Sequence, residues 1–332
     1  MGVVAASDDG HVRLYSQGLT KVYWERRLNS GVYASLVVDP ERQRVVVAGT
    51  SGLVLCFDLR GGLAWSADVG APVFATPTVL SAAGLLVIAA FHGRCLGLDL
   101  ETGARVFDTR TPEPWHAVHG GTAAYRDPYA SPVGTPEGNA ALCCAEHVLC
   151  LAPDGTELWR RETGHAMKAS PAALWETGEI AVCPVDGRCL FLDSRTGEPR
   201  GEIFLGAKIT GSPAVSGGLL AVGTVRDTVS AIDIRTRRVI WEASQGAPRS
   251  YTSFSVLPGG NFIATAADGN IVCLRREDGR FLWESSQVLG LADHQPAMDV
   301  TPVAGPDGRM YGASYEGDLY EFRFQPQLSR NH

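Results

Sequence analysis

The sequence has few of the segments that mark membrane, exported or helical proteins. Its longest apolar runs are only as long as a strand, and no amphipathic helical pattern continues beyond about two turns. The N-terminal stretch MGVVAASDDGHVRLY contains neither the basic region nor the long apolar segment of a signal peptide. We therefore expect an all-β protein that is soluble and cytoplasmic and has no membrane segment.

Basic residues are also in the minority. The chain has 29 Lys and Arg against 36 Asp and Glu, which gives a formal net charge of −7, and no basic block or stripe opposes it. Binding to a nucleic-acid backbone depends on clustered positive charge. We therefore expect no nucleic-acid partner.

The common signatures of catalysis and metal binding are missing as well. The sequence contains no GxSxG, HExxH or GxxxxGK[ST] motif and no GxGxxG followed by a helix. It also contains no C-x-x-C pair and no His cluster with the spacing of metal ligands. We therefore expect no metal and no cofactor, and the enzyme classes that remain need only a shaped cavity and proton transfer.

What the chain does contain is a unit that recurs about every forty residues, as in VVAGTSGLVLCFDLRGGLAW and VIAAFHGRCLGLDLETGARVF. Each copy reads as a strand, a tight turn, a strand ending near Asp, a turn and a strand that reaches an aromatic residue. Such repeats bury their apolar faces only against their neighbours, which predicts a β-propeller that forms a single domain over residues 1–332. The second residue of the tight turn occurs at Gly10, Gly52, Gly93, His147, Gly187, Asp227, Gly269 and Gly317.

These eight turns predict eight blades. The stretch from the last turn through the chain ends to the first turn is shorter than one full unit, so we expect one or two strands to be missing where the ends meet. A seven-bladed ring with extra terminal strands is the alternative.

Most of the cysteines follow the repeat. Five of the eight occupy one repeated place, with the same strand parity, among alternating Leu and Val: Cys56, Cys95, Cys150, Cys189 and Cys273. We interpret them as small apolar core residues. Cys143 and Cys144 are adjacent and could form a vicinal disulfide, but their alignment with Ala residues of the preceding unit favours simple packing. Reduced thiols agree with the expected cytosolic location.

The repeated pattern is Ser/Thr-Pro, a strand, a turn with Gly and then LxLDxxTGxxxW. Asp58, Asp99, Asp193 and Asp233 close the third strands, and the blades end on Trp24, Trp65, Phe107, Trp159, Trp241 and Trp283, with Gly201 as the exception. Over nearly the whole chain this pattern resembles the PQQ-like repeat of quinoprotein-type propellers, and WD40 propellers are similar in architecture. The resemblance implies the fold and leaves the activity open. No set of residues matches the calcium ligands of the quinone-dependent dehydrogenases.

The innermost strands align on a Ser or Thr, at Ser35, Thr76, Ser131, Ser170, Ser212, Ser253 and Thr301. Two residues earlier the units differ, and they carry Tyr33, Phe74, Tyr129, Lys168, Thr210, Tyr251 and Asp299. The period of two places these side chains at the mouth of the central channel. We expect either a small-molecule funnel with aromatic walls or a plug of interlocked side chains.

A long interval between two turns indicates an insertion at about residues 111–128. Insertions into a repeat lie in loops on one face, which is often the binding face. We expect a lid over the funnel, with the alternative that its Trp merely anchors the loop to the blade. The lid would contribute Trp115, His116, His119 and Tyr125 to substrate binding.

Titratable groups gather at the same end of the barrel. Asp299, desolvated by aromatic neighbours, is the candidate general base. The other candidate catalytic residues are Lys168, Tyr129, Tyr251 and His294, and Arg249 joins Tyr33, Phe74 and Thr210 in the substrate-binding set.

Aromatic faces stabilise cations and stack on flat rings. The sequence therefore favours a cofactor-free enzyme that condenses or cyclises an aromatic or amine-type small molecule, similar in outline to a Pictet-Spenglerase. One alternative is a non-catalytic scaffold whose rim loops bind a protein partner. A second alternative is a PQQ-dependent dehydrogenase.

Overall fold

The structure, a computed structural model of the 332-residue chain, describes residues 2–112, 130–244, 253–266, 269–286, 290, 298, 300–314 and 316–323. These residues form eight antiparallel sheets, numbered here as blades 1 to 8 in chain order. The prediction of an all-β, eight-bladed propeller is confirmed, and the seven-bladed alternative is wrong. Among the described residues, no helix has the length and apolar character needed to cross a membrane.

The first four blades follow one another along the chain. Blade 1 contains β1 (Gly2–Ala6), β2 (His11–Ser16) and β3 (Val22–Arg27). Blade 2 contains β4 (Val37–Asp39), β5 (Arg44–Ala48), β6 (Leu53–Asp58) and β7 (Leu63–Asp68). Blade 3 contains β8 (Thr78–Leu80), β9 (Leu85–Ala90), β10 (Arg94–Asp99) and β11 (Arg105–Arg110), with a 3-10 helix at Ser81–Ala83. Blade 4 contains β12 (Val133–Gly134), β13 (Ala140–Cys144), β14 (His147–Leu151) and β15 (Glu157–Glu162).

The last four blades continue the same order. Blade 5 contains β16 (Ala172–Leu174), β17 (Glu179–Val182), β18 (Arg188–Asp193) and β19 (Pro199–Phe204). Blade 6 contains β20 (Ala214–Ser216), β21 (Leu219–Gly223), β22 (Thr228–Asp233) and β23 (Arg238–Ser244). Blade 7 contains β24 (Phe254–Val256), β25 (Phe262–Thr265), β26 (Ile271–Leu274) and β27 (Phe281–Glu284). Blade 8 contains β28 (Val303–Ala304), β29 (Arg309–Ala313) and β30 (Leu319–Arg323).

The two blades at the chain ends have three described strands each, and the other six have four. The tight turn at Gly10 joins β1 to β2, as the turn at Gly52 joins the second and third strands of blade 2, so β1 corresponds to a second strand. Blades 1 and 8 also contact each other. Gln17 Nε2 donates to Asp307 at 3.1 Å, and the Tyr311 hydroxyl donates to the Gln17 carbonyl at 3.0 Å. These hydrogen bonds join the two ends of the chain in one ring.

The repeated Asp at the end of the third strand stabilises the turn that follows it. The Asp99 carboxylate accepts the backbone N–H groups of Glu101 and Thr102 and the Thr102 hydroxyl. Hydrogen bonding to Thr102 is the main reason why the pKa of Asp99 lies below its usual value. Asp193 and Asp233 repeat these bonds in blades 5 and 6. The Asp of the repeat is therefore a turn residue.

The blade-end aromatics lock each blade to the next. Trp65 is buried, its Nε1–H donates to the Leu100 carbonyl of blade 3 at 2.9 Å, and its ring lies against Gly103. A Cβ at Gly103, whose φ is +72°, would lie only 2.6 Å from that ring, so this position requires glycine. The same indole hydrogen bond joins Trp24 to Leu59 at 3.0 Å, Trp159 to Ser194 at 3.0 Å and Trp241 to Arg276 at 2.7 Å. We call this arrangement the blade latch.

Gly201 is the exception to the latch, and the structure explains how it is replaced. At the turn of blade 6 where other blades carry glycine, the chain has Arg237 with a φ of +58°. Its guanidinium lies 4.1 Å from the centroid of the Phe191 ring and forms an ion pair with the buried Glu179. An Arg from blade 6 therefore fills the place that a Trp from blade 5 would occupy.

The apolar core lies between neighbouring blades. One cluster joins Val46 and Cys56 of blade 2 to Leu86 and Leu96 of blade 3, and all four are buried. All eight cysteines are buried and none of them forms a disulfide, which confirms that the repeated ones are core residues. Burial raises the pKa of the Cys150 thiol to about 12.

The adjacent cysteines of blade 4 also pack as core residues. Cys143 belongs to a cluster with Trp159, whereas Cys144 belongs to a cluster with Phe107. Successive residues of a strand point to opposite faces, so each thiol is part of a different interface between blades. Neither cysteine forms a disulfide, as simple packing predicts.

Candidate functional site

The inner strands are joined by a belt of hydroxyl groups around the central channel. From Ser35 to Ser212, the backbone N–H of each aligned Ser or Thr donates to the hydroxyl of its equivalent in the next blade. The five described bonds run from Ser35 to Thr76, Thr76 to Ser131, Ser131 to Ser170, Ser170 to Ser212 and Ser212 to Ser253, at 2.9 to 3.0 Å. The alignment of the inner strands on Ser or Thr is confirmed, and its physical reason is this belt.

Replacing Ser170 with Ala should lower the free energy of unfolding by about 1–2 kcal/mol, because the Ser131 N–H loses its acceptor near the axis. Ser170→Thr keeps the hydroxyl and should lower the free energy of unfolding by less. Urea titration of both variants measures the difference. Equal losses in the two variants would mean that the hydroxyl does not stabilise the belt.

Four of the predicted funnel residues lie in the described part of the chain. Tyr33 is 63% exposed, and its ring centroid lies 5.3 Å from that of Phe74. Phe74 also stacks on Phe91 at 4.6 Å. Lys168 and Thr210 precede the inner strands of blades 5 and 6, where Lys168 is half-buried and Thr210 is buried. The structure thus brings Tyr33 and Phe74 into direct contact.

Phe91 is a member of this group that the sequence analysis missed. It follows β9, two residues before Gly93, and its backbone N–H donates to the Pro72 carbonyl at 2.9 Å. Tight turns of this type lie at the same end of the blade as the start of the inner strand, and that placement is the signal that could have identified it. We call Tyr33, Phe74 and Phe91 the aromatic cluster.

The remaining predicted site residues lie outside the described residues. They are Asp299, Tyr129, Tyr251, His294, Arg249, Trp115, His116, His119 and Tyr125. The predicted lid, apart from residues 111 and 112, lies outside them too. In the described ranges, no three His, Cys, Asp or Glu side chains are grouped so that they could hold a metal ion.

A shallow, open cavity of about 300 Å³ lies away from the aromatic cluster, at the edge of blade 6. Arg226, Asp227, Glu242 and Ser244 contribute to its wall, and the Ser244 hydroxyl donates to Asp227 at 2.6 Å. No residue of this cavity was a predicted site residue.

Comparison with known proteins places this geometry in context. The model of the family described as outer membrane protein assembly factor BamB matches residues 5–138 and 145–325. The chain is 23% identical over 274 residues to the assembly factor BamB of Burkholderia pseudomallei, a match that covers 76% of this chain and 65% of that protein. It is 31% identical over 116 residues to the β-alanine-activating enzyme of Danio rerio, but this match covers 32% of the chain and only 10% of the enzyme.

Solved structures agree on the fold. BamB from Moraxella catarrhalis has a TM-score of 0.76 at 17% identity, with 97% of this chain and 94% of that chain covered. The C-terminal WD40 domain of Sif2 has a TM-score of 0.79 at 9% identity, with 98% and 93% covered. At these identities the likeness concerns the fold alone, and the PQQ-like and WD40-like character of the propeller is confirmed.

These comparisons correct three expectations. The preferred function, a condensing or cyclising enzyme similar to a Pictet-Spenglerase, is wrong, because the family that matches nearly the whole chain is one of assembly factors. The cytoplasmic location is wrong, because the matched relatives are named for assembly at the outer membrane. A small-molecule substrate is not supported, because the matched relatives are named as assembly factors. The physical reason is that exposed aromatic side chains around a channel suit a protein interface as well as a small-molecule pocket.

Proposed function

Because the chain belongs to the family of the outer membrane protein assembly factor BamB, we propose that it is a non-catalytic scaffold that binds protein partners during outer membrane protein assembly. The observation that carries this proposal is the family match, which extends from residue 5 to residue 325 with one short interruption. The chain spans 65% of the length of the Burkholderia pseudomallei relative.

The architecture suits a scaffold. The hydroxyl belt fixes the inner strands and the blade latch fixes the outer strands, so the loops at each end of the blades are held on a rigid frame. Binding residues are commonly found on loops that a rigid scaffold positions. We propose that the face with the aromatic cluster is one of the binding faces.

The aromatic cluster supports this choice of face. Tyr33 is largely exposed, and its contact with Phe74 restricts the ring, so less side-chain entropy is lost when a partner covers it. Tyr and Phe side chains are enriched in protein interfaces, and truncating one at the centre of an interface can cost about 2 kcal/mol of binding free energy.

Deleting the gene in the organism that encodes this chain should lower the amount of protein assembled in its outer membrane, and a plasmid copy should restore that amount. The variant Tyr33→Ala/Phe74→Ala should restore less, because it removes the exposed aromatic contact. Quantitative mass spectrometry of outer membrane fractions measures both effects.

Trp175→Ala is the matched control. Trp175 is 66% exposed and follows β16, so it lies at the opposite end of an inner strand from Tyr33. This variant should restore the amount of outer membrane protein to the same level as the unchanged chain does. An unaltered outer membrane after gene deletion would refute the assembly role, and equal restoration by the two variants would refute the choice of face.

A further inference from the structure

The hairpin of β17 and β18 in blade 5 brings two cysteines together. Its register pairs Val182 with Leu190, so the next residues towards the turn, Cys183 and Cys189, lie opposite each other. Both are fully buried, and both belong to the apolar cluster that joins blade 5 to blade 6, so their side chains lie on the same face of the hairpin. No disulfide joins them in the structure. The two thiols are therefore direct cross-strand neighbours.

The position of this pair in the hairpin suits a disulfide. In blade 1 the equivalent turn is closed by a hydrogen-bonded pair, in which the Ser7 N–H donates to the His11 carbonyl at 3.0 Å. Pro184 takes the place of Ser7 in blade 5, so the alternation along antiparallel strands makes Cys183 and Cys189 a non-hydrogen-bonded pair. The Cα atoms of such pairs lie about 4.5 Å apart, within the range of about 4.4–6.8 Å that a disulfide spans. The bond can therefore form without a change of register.

The two thiols also interact, which affects when they can react. A hydrogen bond with Cys183 is the main reason why the pKa of Cys189 lies well above its usual value, and burial raises that pKa further. The thiolate is the form that attacks a disulfide, and a buried thiol is out of reach of an oxidant. The reaction of this pair therefore belongs to folding, before the hairpin packs against blade 6.

The repeat does not impose this pair. In three other blades the same two places hold Ala48 and Val54, Ala89 and Cys95, and Gly223 and Val229. Cys143 belongs with Val182 to the cluster on the other face of blade 5, so β17 itself separates Cys143 from Cys183. Cys183 and Cys189 are thus matched to each other and not to a third cysteine.

The pair lies at the junction where an Arg replaces the Trp of the blade latch. Cys189 is two residues before Phe191 in β18, and both side chains belong to the cluster shared with blade 6. The Phe191 ring is the one on which the Arg237 guanidinium lies, 4.1 Å from the centroid. A covalent bond between Cys183 and Cys189 would hold β18, and with it this ring, in position for Arg237.

We propose that Cys183 and Cys189 form a cross-strand disulfide when the chain folds in the presence of a small-molecule or protein disulfide, and that this bond stabilises the junction of blades 5 and 6. One thiolate attacks the oxidant disulfide and releases its first thiol, and the second thiolate then displaces the other thiol from the mixed disulfide. Two S–H bonds are lost from the chain and one S–S bond forms, while the oxidant takes up the two electrons and two protons as two thiols.

This proposal does not depend on the assembly role, because it follows from the register and burial of the hairpin. The expectation of reduced thiols was based on a cytoplasmic location, which the comparisons contradict.

Refolding of the full-length protein from urea with oxidised glutathione tests the proposal. Trypsin cleaves after Arg188, between the two cysteines, so a disulfide would join the peptides 169–188 and 189–195. Mass spectrometry of the alkylated digest should show this linked pair, lighter than the sum of the two peptides by two hydrogen atoms, and reduction should separate it. Oxidised glutathione added to the folded protein should form the same pair at least about tenfold more slowly, because both thiols are buried.

Two variants separate this pair from the other cysteines. The unchanged protein should melt about 2–4 °C higher after oxidative refolding than in reducing buffer. Cys189→Ala should lose both the linked peptides and this difference in melting temperature. Cys95→Ala is the matched control, because Cys95 occupies the same place in blade 3 but faces Ala89. It should keep the linked peptides and the difference. Each variant is compared with itself in the two buffers, so its own loss of stability does not enter the result.

Four results would overturn the proposal. The first is a refolded protein without linked peptides, and the second is peptide 169–188 linked to a peptide other than 189–195. The third is a difference in melting temperature between the two buffers that persists in Cys189→Ala. The fourth is equally fast oxidation of the folded and the refolding protein, which would show that the pair is not closed off by blade 6.

Discussion

Replacing Trp65 with Ala should lower the free energy of unfolding by about 3–5 kcal/mol, one of the two largest effects that we expect in this protein. The indole is buried between blades 2 and 3, and its loss leaves a cavity against Gly103. It also removes the donor to the Leu100 carbonyl, which is a buried hydrogen bond. Urea titration followed by circular dichroism measures the change.

Leu63→Ala is the matched control for this variant. Leu63 lies in the same strand, β7, two residues from Trp65, but its side chain is exposed. Its truncation should change the free energy of unfolding by less than about 0.5 kcal/mol. If Trp65→Ala were no more costly than Leu63→Ala, the blade latch would not hold blades 2 and 3 together.

The second large effect is expected at the place where the latch is replaced. Arg237→Ala should lower the free energy of unfolding by about 3–5 kcal/mol, because it leaves the buried Glu179 carboxylate without its cationic partner. It also removes the guanidinium from the face of Phe191, a cation–π contact worth up to about 2 kcal/mol when desolvated. Part of the loss should be recovered by adding Glu179→Gln, since a neutral amide is less costly to bury than a charge.

Arg235→Ala is the control for the ion pair. Arg235 lies two residues away and pairs with Glu176 at 3.1 Å, and both side chains are exposed. Exposed ion pairs contribute about 0–1 kcal/mol, so this variant should be nearly neutral. Similar losses for Arg235→Ala and Arg237→Ala, or no recovery with Glu179→Gln, would show that the buried pair is not what stabilises blades 5 and 6.

The fold could be predicted because each physical requirement recurs in the sequence. The eight tight turns, the Asp that accepts turn N–H groups and the Trp that meets a Gly of the next blade appear again and again at constant spacing. The two positions that depart from the repeat are also visible in the sequence. Blade 5 lacks its Trp at Gly201, and the turn of blade 6 lacks its Gly at Arg237. That these two departures compensate each other became clear only when the side chains were placed together.

The candidate site was predicted less well. The alignment of the inner strands was right, and it brought Tyr33 and Phe74 together, but Phe91 was missed because it belongs to another segment of the repeat. The predicted enzyme function is wrong because aromatic and titratable residues around a channel do not by themselves indicate a small-molecule pocket. The same residue types serve a protein interface, and composition alone does not distinguish the two.

The sequence by itself determined the architecture of the protein, since a period of about forty residues with alternating apolar strands can bury its faces only in a ring of stacked blades. Only the tertiary structure decided which contacts join neighbouring blades and where one blade uses a different contact from the others. The belt of hydroxyls and the Arg that replaces a Trp both depend on contacts between blades. Such contacts join residues about forty positions or more apart, and no local pattern records which of them meet.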